Sequence, residues 1–152
     1  MAIRLETSKR NGIENYQDSE LSVIKFNWLK QLGKSHSRAR PRTDPSSAYN
    51  CHGLTFASRR TSLEKSSGIQ LILKDDDYNE ITDMKDILPG DIVIYYSTKG
   101  DPNHSGMVVE SGGQLIVPLI CSKWANAGEF VHGLRDCPQM YGPITRFFRC
   151  KR

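Results

Sequence analysis

Ala48-Tyr49-Asn50-Cys51-His52-Gly53-Leu54-Thr55-Phe56-Ala57 runs from a polar approach through a cysteine into apolar positions of helical period. Asn50 is a residue type that caps helices, because its side-chain oxygen accepts from N–H groups that the first turn leaves free. Leu54, Ala57 and Thr61 fall on one helical face. The spacing predicts a helix from Cys51 to about Glu64, broken by Ser66-Ser67-Gly68. Cys51 stands in its first turn, where free N–H groups and the helix dipole favour a thiolate over a thiol. Such a nucleophile needs a partner to take and return protons. The candidate lies 53 residues further on, in Asn103-His104-Ser105-Gly106-Met107-Val108-Val109, where a histidine opens a strand-like run.

Around that histidine the chain reads as β-structure. Leu88-Pro89-Gly90-Asp91 is a turn that launches the apolar run Ile92 to Tyr96, and Lys99 to Asn103 is a second turn leading into His104 and the strand Met107–Glu110. Ser111-Gly112-Gly113 predicts a hairpin, with Gln114 to Ile120 as the next strand and Pro118 marking an edge or bulge. Short turns between successive strands imply an antiparallel meander. Upstream, Asp18 or Ser19 caps a helix whose apolar positions are Leu21, Ile24, Trp28 and Leu32, with Gly33 as its stop. The Trp28 face of that helix is expected to pack on the core. Residues 1–17 are polar without a clear period, and Lys34 to Ser47 reads as a loop that delivers the chain to Cys51 and lines part of a cleft. Ile69 to Leu73 is apolar but ambiguous in type. Beyond Cys121, glycines and prolines break the chain into turns anchored by Trp124, Phe130, Leu134 and Tyr141, and Ile144 to Cys150 makes one more strand. Helices early and strands late define an α+β class, with N-terminal helices packed on an antiparallel sheet.

A chain of 152 residues, 38% hydrophobic and 25% charged, suits one globular domain over 1–152. No apolar run reaches the length of a membrane span. Met1 to Arg10 lacks the apolar core of a secretory signal, so a cytoplasmic site of synthesis is expected, which leaves room for signal-independent export. The formal charge is +4. Its basic residues cluster in Lys34–Arg42, at Arg59-Arg60 and from Arg146 to Arg152, and read as solvated faces and a loop. With no recognition-helix pattern and no interleaving of aromatic and basic residues, no nucleic-acid partner is expected.

Cys51, Cys121, Cys137 and Cys150 form no CxxC pair, so reduced thiols are the expectation rather than a disulfide framework. A zinc set of Cys121, His132, Cys137 and Cys150 lacks the short-spaced pairs such sites use. Asp75-Asp76-Asp77-Tyr78-Asn79 has the order of a calcium loop, but Glu80 stands where the sharp turn needs Gly and Asp86 where the loop needs Glu. It reads as a solvated acidic turn. No metal and no cofactor is expected.

The order of these motifs resembles the NlpC/P60 and CHAP group of papain-like thiol hydrolases. Asn50-Cys51-His52-Gly53 is similar to that group's Asp-Cys-Ser-Gly stretch. Leu88-Pro89-Gly90-Asp91-Ile92-Val93 is similar to its Pro-Gly-Asp turn, and His104-Ser105-Gly106-Met107-Val108-Val109 to its histidine strand. The resemblance covers about residues 45–122. It implies a papain-like fold and a cysteine hydrolase in which Cys51 attacks an amide carbonyl, His104 manages the proton, and water resolves the acyl-enzyme. The Cys51 N–H, with Tyr49 and Asn50 beside it, would serve an oxyanion site, and His52 would line the cleft. The group orients its imidazole with a third polar residue on the following strand. The closest matching position holds Val117, which cannot do so; Ser122 is the first polar candidate beyond it, and Asn126 the second.

The resemblance implies a peptide or peptidoglycan-like substrate and an amidase or endopeptidase, with delivery by a secretion machine or a phage as a fitting context. Deamidases and acyltransferases acting on proteins or lipids share such scaffolds. The alternative from another class is a catalytically silent binding module. Alone, Cys51 reads as a structural thiol and His104 as a surface histidine. Their combination within one strand–turn pattern is what points to chemistry.

Overall fold

The computed structural model describes residues 1–113 and 117–151. Among these, β1 (Arg40–Pro41), β2 (Tyr78–Ile81), β3 (Ile92–Tyr96), β4 (Pro102–Glu110), β5 (Leu119–Lys123), β6 (Glu129–Gly133) and β7 (Ile144–Cys150) form one antiparallel sheet. Its strand order is β1-β6-β5-β4-β3-β7-β2. Three α-helices accompany it: α1 (Val23–Leu32), α2 (Cys51–Phe56) and α3 (Ser66–Asp75). The expected α+β architecture, helices first and an antiparallel sheet after, is what the chain adopts. No helix among the described residues is long and apolar enough to cross a membrane.

Strand alternation divides the core in two. Ile92, Ile94 and Phe148 face α3 and pack with Ile69, Ile72, Leu63 and Ile13. Val93, Tyr95, Val108, Ile120 and Phe147 face the other way and pack with Trp124, Phe130 and Leu29. The Pro-Gly-Asp turn has a plain structural reason. Gly90 takes φ +94°, and the buried Asp91 carboxylate accepts from the Leu88 N–H at 2.7 Å and from the Arg149 guanidinium at 2.7 and 2.8 Å. The turn is thereby clipped to β7 at its penultimate residue.

Several local expectations are corrected. The helix after Asn50 ends at Phe56, because Ser58 and Arg59 take φ of 50° and 64°, and Ser66-Ser67-Gly68 begins α3 instead of breaking a helix. The strand expected from Gln114 starts at Leu119 and continues to Lys123; its first positions fall outside the described residues. α1 is capped by Ser22, whose hydroxyl accepts from the Lys25 N–H, and Leu29 is its one buried residue. Ile24, Trp28 and Leu32, expected in the core, are 84%, 60% and 48% exposed. The rotation follows from Gly33, where a Cβ would stand 2.5 Å from the Phe130 ring. The helix docks on its Leu29–Gly33 side, which leaves the Trp28 face outward.

The N-terminal segment and the acidic turn explain each other. Asp75 is buried at the end of α3, where a carboxylate opposes the helix dipole. It is satisfied there by Thr7 Oγ1 and Asn11 Nδ2, both donating at 2.7 Å, while Asp76 accepts from the Ser8 N–H. The polar start of the chain is thus a tie across α3 that takes up Asp75 and Asp76, and of the three aspartates only Asp77 is exposed, as a solvated turn would have it.

Candidate active site

α2 lies against β4 and β5, and its first turn is built by Asn50. The Asn50 side-chain oxygen accepts from the Gly53 N–H at 2.8 Å and the Leu63 N–H at 3.1 Å, and its amide donates to the Leu63 carbonyl at 2.7 Å. One residue therefore caps the helix and pins it to the segment that returns beneath it. Gly53 is required by that crossing, since a Cβ would stand 1.8 Å from the Thr61 carbonyl oxygen.

Cys51 occupies the first turn as expected, but it is buried. Burial pushes its thiol up to about 11, against the pull of the Ser105, His52 and Cys51 backbone N–H groups and the nearby Lys123 charge. Desolvation outweighs the helix start, and Cys51 is a neutral thiol in this state. The pull from Ser105 places the thiol beside the β4 backbone, next in chain to His104.

His104 is fully buried, not on the surface. Its ring stacks on Tyr141 with centroids 3.6 Å apart and planes 5° from parallel, and Tyr95 lies at 5.4 Å. Nε2 has no hydrogen-bond partner, the one such buried side-chain atom among the described residues. Burial holds His104 well below the usual imidazole range, and its proximity to His52 and His132, which would repel it once protonated, acts in the same direction. No hydrogen bond joins it to Cys51.

Ser122 goes elsewhere. Its hydroxyl lies 2.6 Å from His132 Nε2 and accepts from the Trp124 indole N–H at 3.1 Å, and His132 Nδ1 donates to the Gly133 carbonyl at 2.7 Å. His132 rather than His104 takes the serine, because Ser122 and His132 share one face of the neighbouring strands β5 and β6, His132 lying two positions beyond Phe130, the residue opposite Ser122. Val117 is exposed. The residue held against the His104 ring is Tyr141, expected only as a tail anchor.

His52 does not line a cleft. Its Nε2 lies 2.9 Å from the Pro102 carbonyl, which can only accept, so Nε2 carries the proton and Nδ1 accepts from the Ser105 hydroxyl at 2.8 Å. Thr55 Oγ1 lies 2.8 Å from the same hydroxyl. This neutral imidazole ties α2 to β4, and burial lowers its pKa to about 4.

Tyr49 is equally committed. Its hydroxyl donates to Glu129, a fully buried carboxylate at the start of β6 that also receives Arg42 Nη1 at 2.6 Å and Arg59 Nε at 2.7 Å. Burial would raise the Glu129 pKa, but the bonds from Arg59, Tyr49 and Arg42 outweigh it and bring it to about 2. Lys123, also fully buried, donates to the carbonyls of Ser46, Tyr49 and Ala125 at 2.7, 2.8 and 2.6 Å. Its burial lowers the ammonium pKa to about 8. Glu129 and Lys123 thus hold both ends of the segment leading into Cys51. The basic residues Arg42, Arg59, Arg146 and Arg149 all have carboxylate partners and are not merely solvated.

Comparison with family models, curated proteins and solved structures finds no match for this chain.

Proposed function

We propose that the chain is a cysteine hydrolase of the papain-like, NlpC/P60 and CHAP type, with Cys51 as nucleophile and His104 as proton carrier. The observation that carries this reading is the unpartnered Nε2 of His104, one residue from the Ser105 N–H that pulls on the Cys51 thiol. Leaving a buried polar atom unpaired costs about 1–3 kcal/mol, and such atoms concentrate where a reaction needs them free. In the working state the Cys51 proton passes to His104, and the sulfur attacks an amide carbonyl. The amine leaves with the proton from His104, and water releases the acid from the thioester. Tyr141, stacked flat on the ring, orients the imidazole in place of the group's third polar residue.

The same stack covers the site, so substrate entry requires the turn Gln139–Tyr141 to swing away from β4. The thiol then regains water and the helix-start stabilisation that burial suppresses. Peptidoglycan-type peptides are the leading substrate class by resemblance, and protein or lipid amides the next. The test is release of new amino groups from peptidoglycan fragments. Wild type is expected to release them and Cys51→Ala and His104→Ala are not; equal release from all three overturns the assignment.

A silent binding module is the second reading. The thiol raised to about 11 favours it, as does the commitment of Ser122 to His132. Correct folding of Cys51→Ala with unchanged ligand binding and no turnover in wild type would support this reading instead.

A further inference from the structure

The outward face of α1 belongs to no part of the site and, among the described residues, stays largely uncovered. Ile24, Trp28 and Leu32 follow one another at intervals of four, so they form a single stripe along the helix. They are 84%, 60% and 48% exposed, and Val23 on the flank is 76% exposed. Scattered exposed apolar residues need no explanation, but a continuous stripe centred on a tryptophan does.

The charge along the stripe is predominantly positive, with Asp18 and Glu20 just before it and Asp44 just after. From Leu21 to Thr43 the chain carries Lys25, Lys30, Lys34, Arg38, Arg40 and Arg42 and no acidic residue. Lys30 reaches Asp44 at 3.2 Å, Arg38 reaches Asp136 at 4.0 Å and Arg42 is held by Glu129, while Lys25, Lys34 and Arg40 are exposed and have no carboxylate within salt-bridge reach among the described residues.

We propose that α1 is an interfacial helix that seats this face on an anionic lipid bilayer. Trp28 would sit at the headgroup level, Ile24 and Leu32 would enter the acyl boundary, and Lys25 and Lys34 would snorkel to the lipid phosphates. Charge decides between occupants. A second copy docked on the same face would bring two sets of unneutralised lysines together, whereas an anionic surface neutralises them. The stripe is also convex and one helix wide, a shape suited to a soft planar surface.

Co-sedimentation with phosphatidylcholine vesicles, with and without one-quarter phosphatidylglycerol, tests this on the full chain. Binding is expected only to the anionic vesicles, weakening steeply between low and physiological salt. Ile24→Ser with Trp28→Ser, and separately Lys25→Glu with Lys34→Glu, should each reduce binding by at least about tenfold. Both pairs are exposed, so an unchanged melting temperature shows that the fold is intact. Three results would overturn the proposal: no binding to anionic vesicles at low salt, equal binding to neutral ones, or a dimer in light scattering that Trp28→Ser dissolves.

Discussion

The Glu129 carboxylate is fully buried with both of its oxygens hydrogen-bonded. Two guanidiniums and a phenol converge on it, and removing the charge would leave Arg42 and Arg59 facing a neutral amide. Because both arginines remain half-exposed and can rehydrate, Glu129→Gln is expected at the low end of the range for broken buried pairs, about 3 kcal/mol by urea unfolding. His52 makes a prediction in pH. Its folded pKa of about 4 lies below the ordinary imidazole value near 6.5, so folding favours the neutral ring. The stability it contributes is complete above about pH 6.5 and is lost as the pH falls toward 4, a change on the order of 3 kcal/mol. Glu129 adds a second loss, beginning below about pH 4.5 and running to about 2. In thermal melts, His52→Gln should reduce the first part of this acid profile, to which the buried His104 and His132 also contribute, and leave the second. Of the site residues, Asn50 and Cys51 were legible because capping is local chemistry. Glu129 and Lys123 were not, since a charged side chain gives no local sign that partners far away in the chain will bury it. His104 was legible as a residue, but its burial under Tyr141 depends on a contact 37 positions away.

At the scale of elements, turns and apolar runs announced β3, β4 and β7, and the Pro-Gly-Asp turn lies where those signals put it. β1, β2 and β6 were hidden because they are short or polar and exist by pairing with neighbours. α2 was overextended because nothing local marks Ser58 and Arg59 for left-handed backbone; Arg59 adopts it while reaching Glu129. α3 was concealed by Gly68, a helix-weakening residue in its first turn. Two glycines therefore separate cleanly by experiment. Gly53→Ala drives a methyl into the Thr61 carbonyl and should cost about 3 kcal/mol, the upper range for overpacking. Gly68→Ala meets only Ile13 Cγ2 at 3.6 Å, an ordinary contact, and should gain about 0.5–1 kcal/mol from helix propensity. Denaturant midpoints read both.

Across the whole molecule, two layers of side chains share one sheet, and the candidate dyad lies where α2 meets β4. Cys51 is carried by the first turn of α2, near enough to Tyr141 for their charges to interact, and the His104 ring packs with Tyr95 and Tyr141. The central claim is that these groups act together once the Gln139–Tyr141 turn opens. The most direct measurement is the rate of iodoacetamide alkylation at Cys51, followed by peptide mapping from pH 4 to 9 in wild type, His104→Ala and Tyr141→Ala. The account predicts modification well below the ordinary thiol pKa of about 8.5 in wild type, faster modification when Tyr141 is removed, and loss of the low-pH reaction when His104 is removed. Alkylation that rises only as a lone thiol ionises, at the same rate with and without His104, would contradict it.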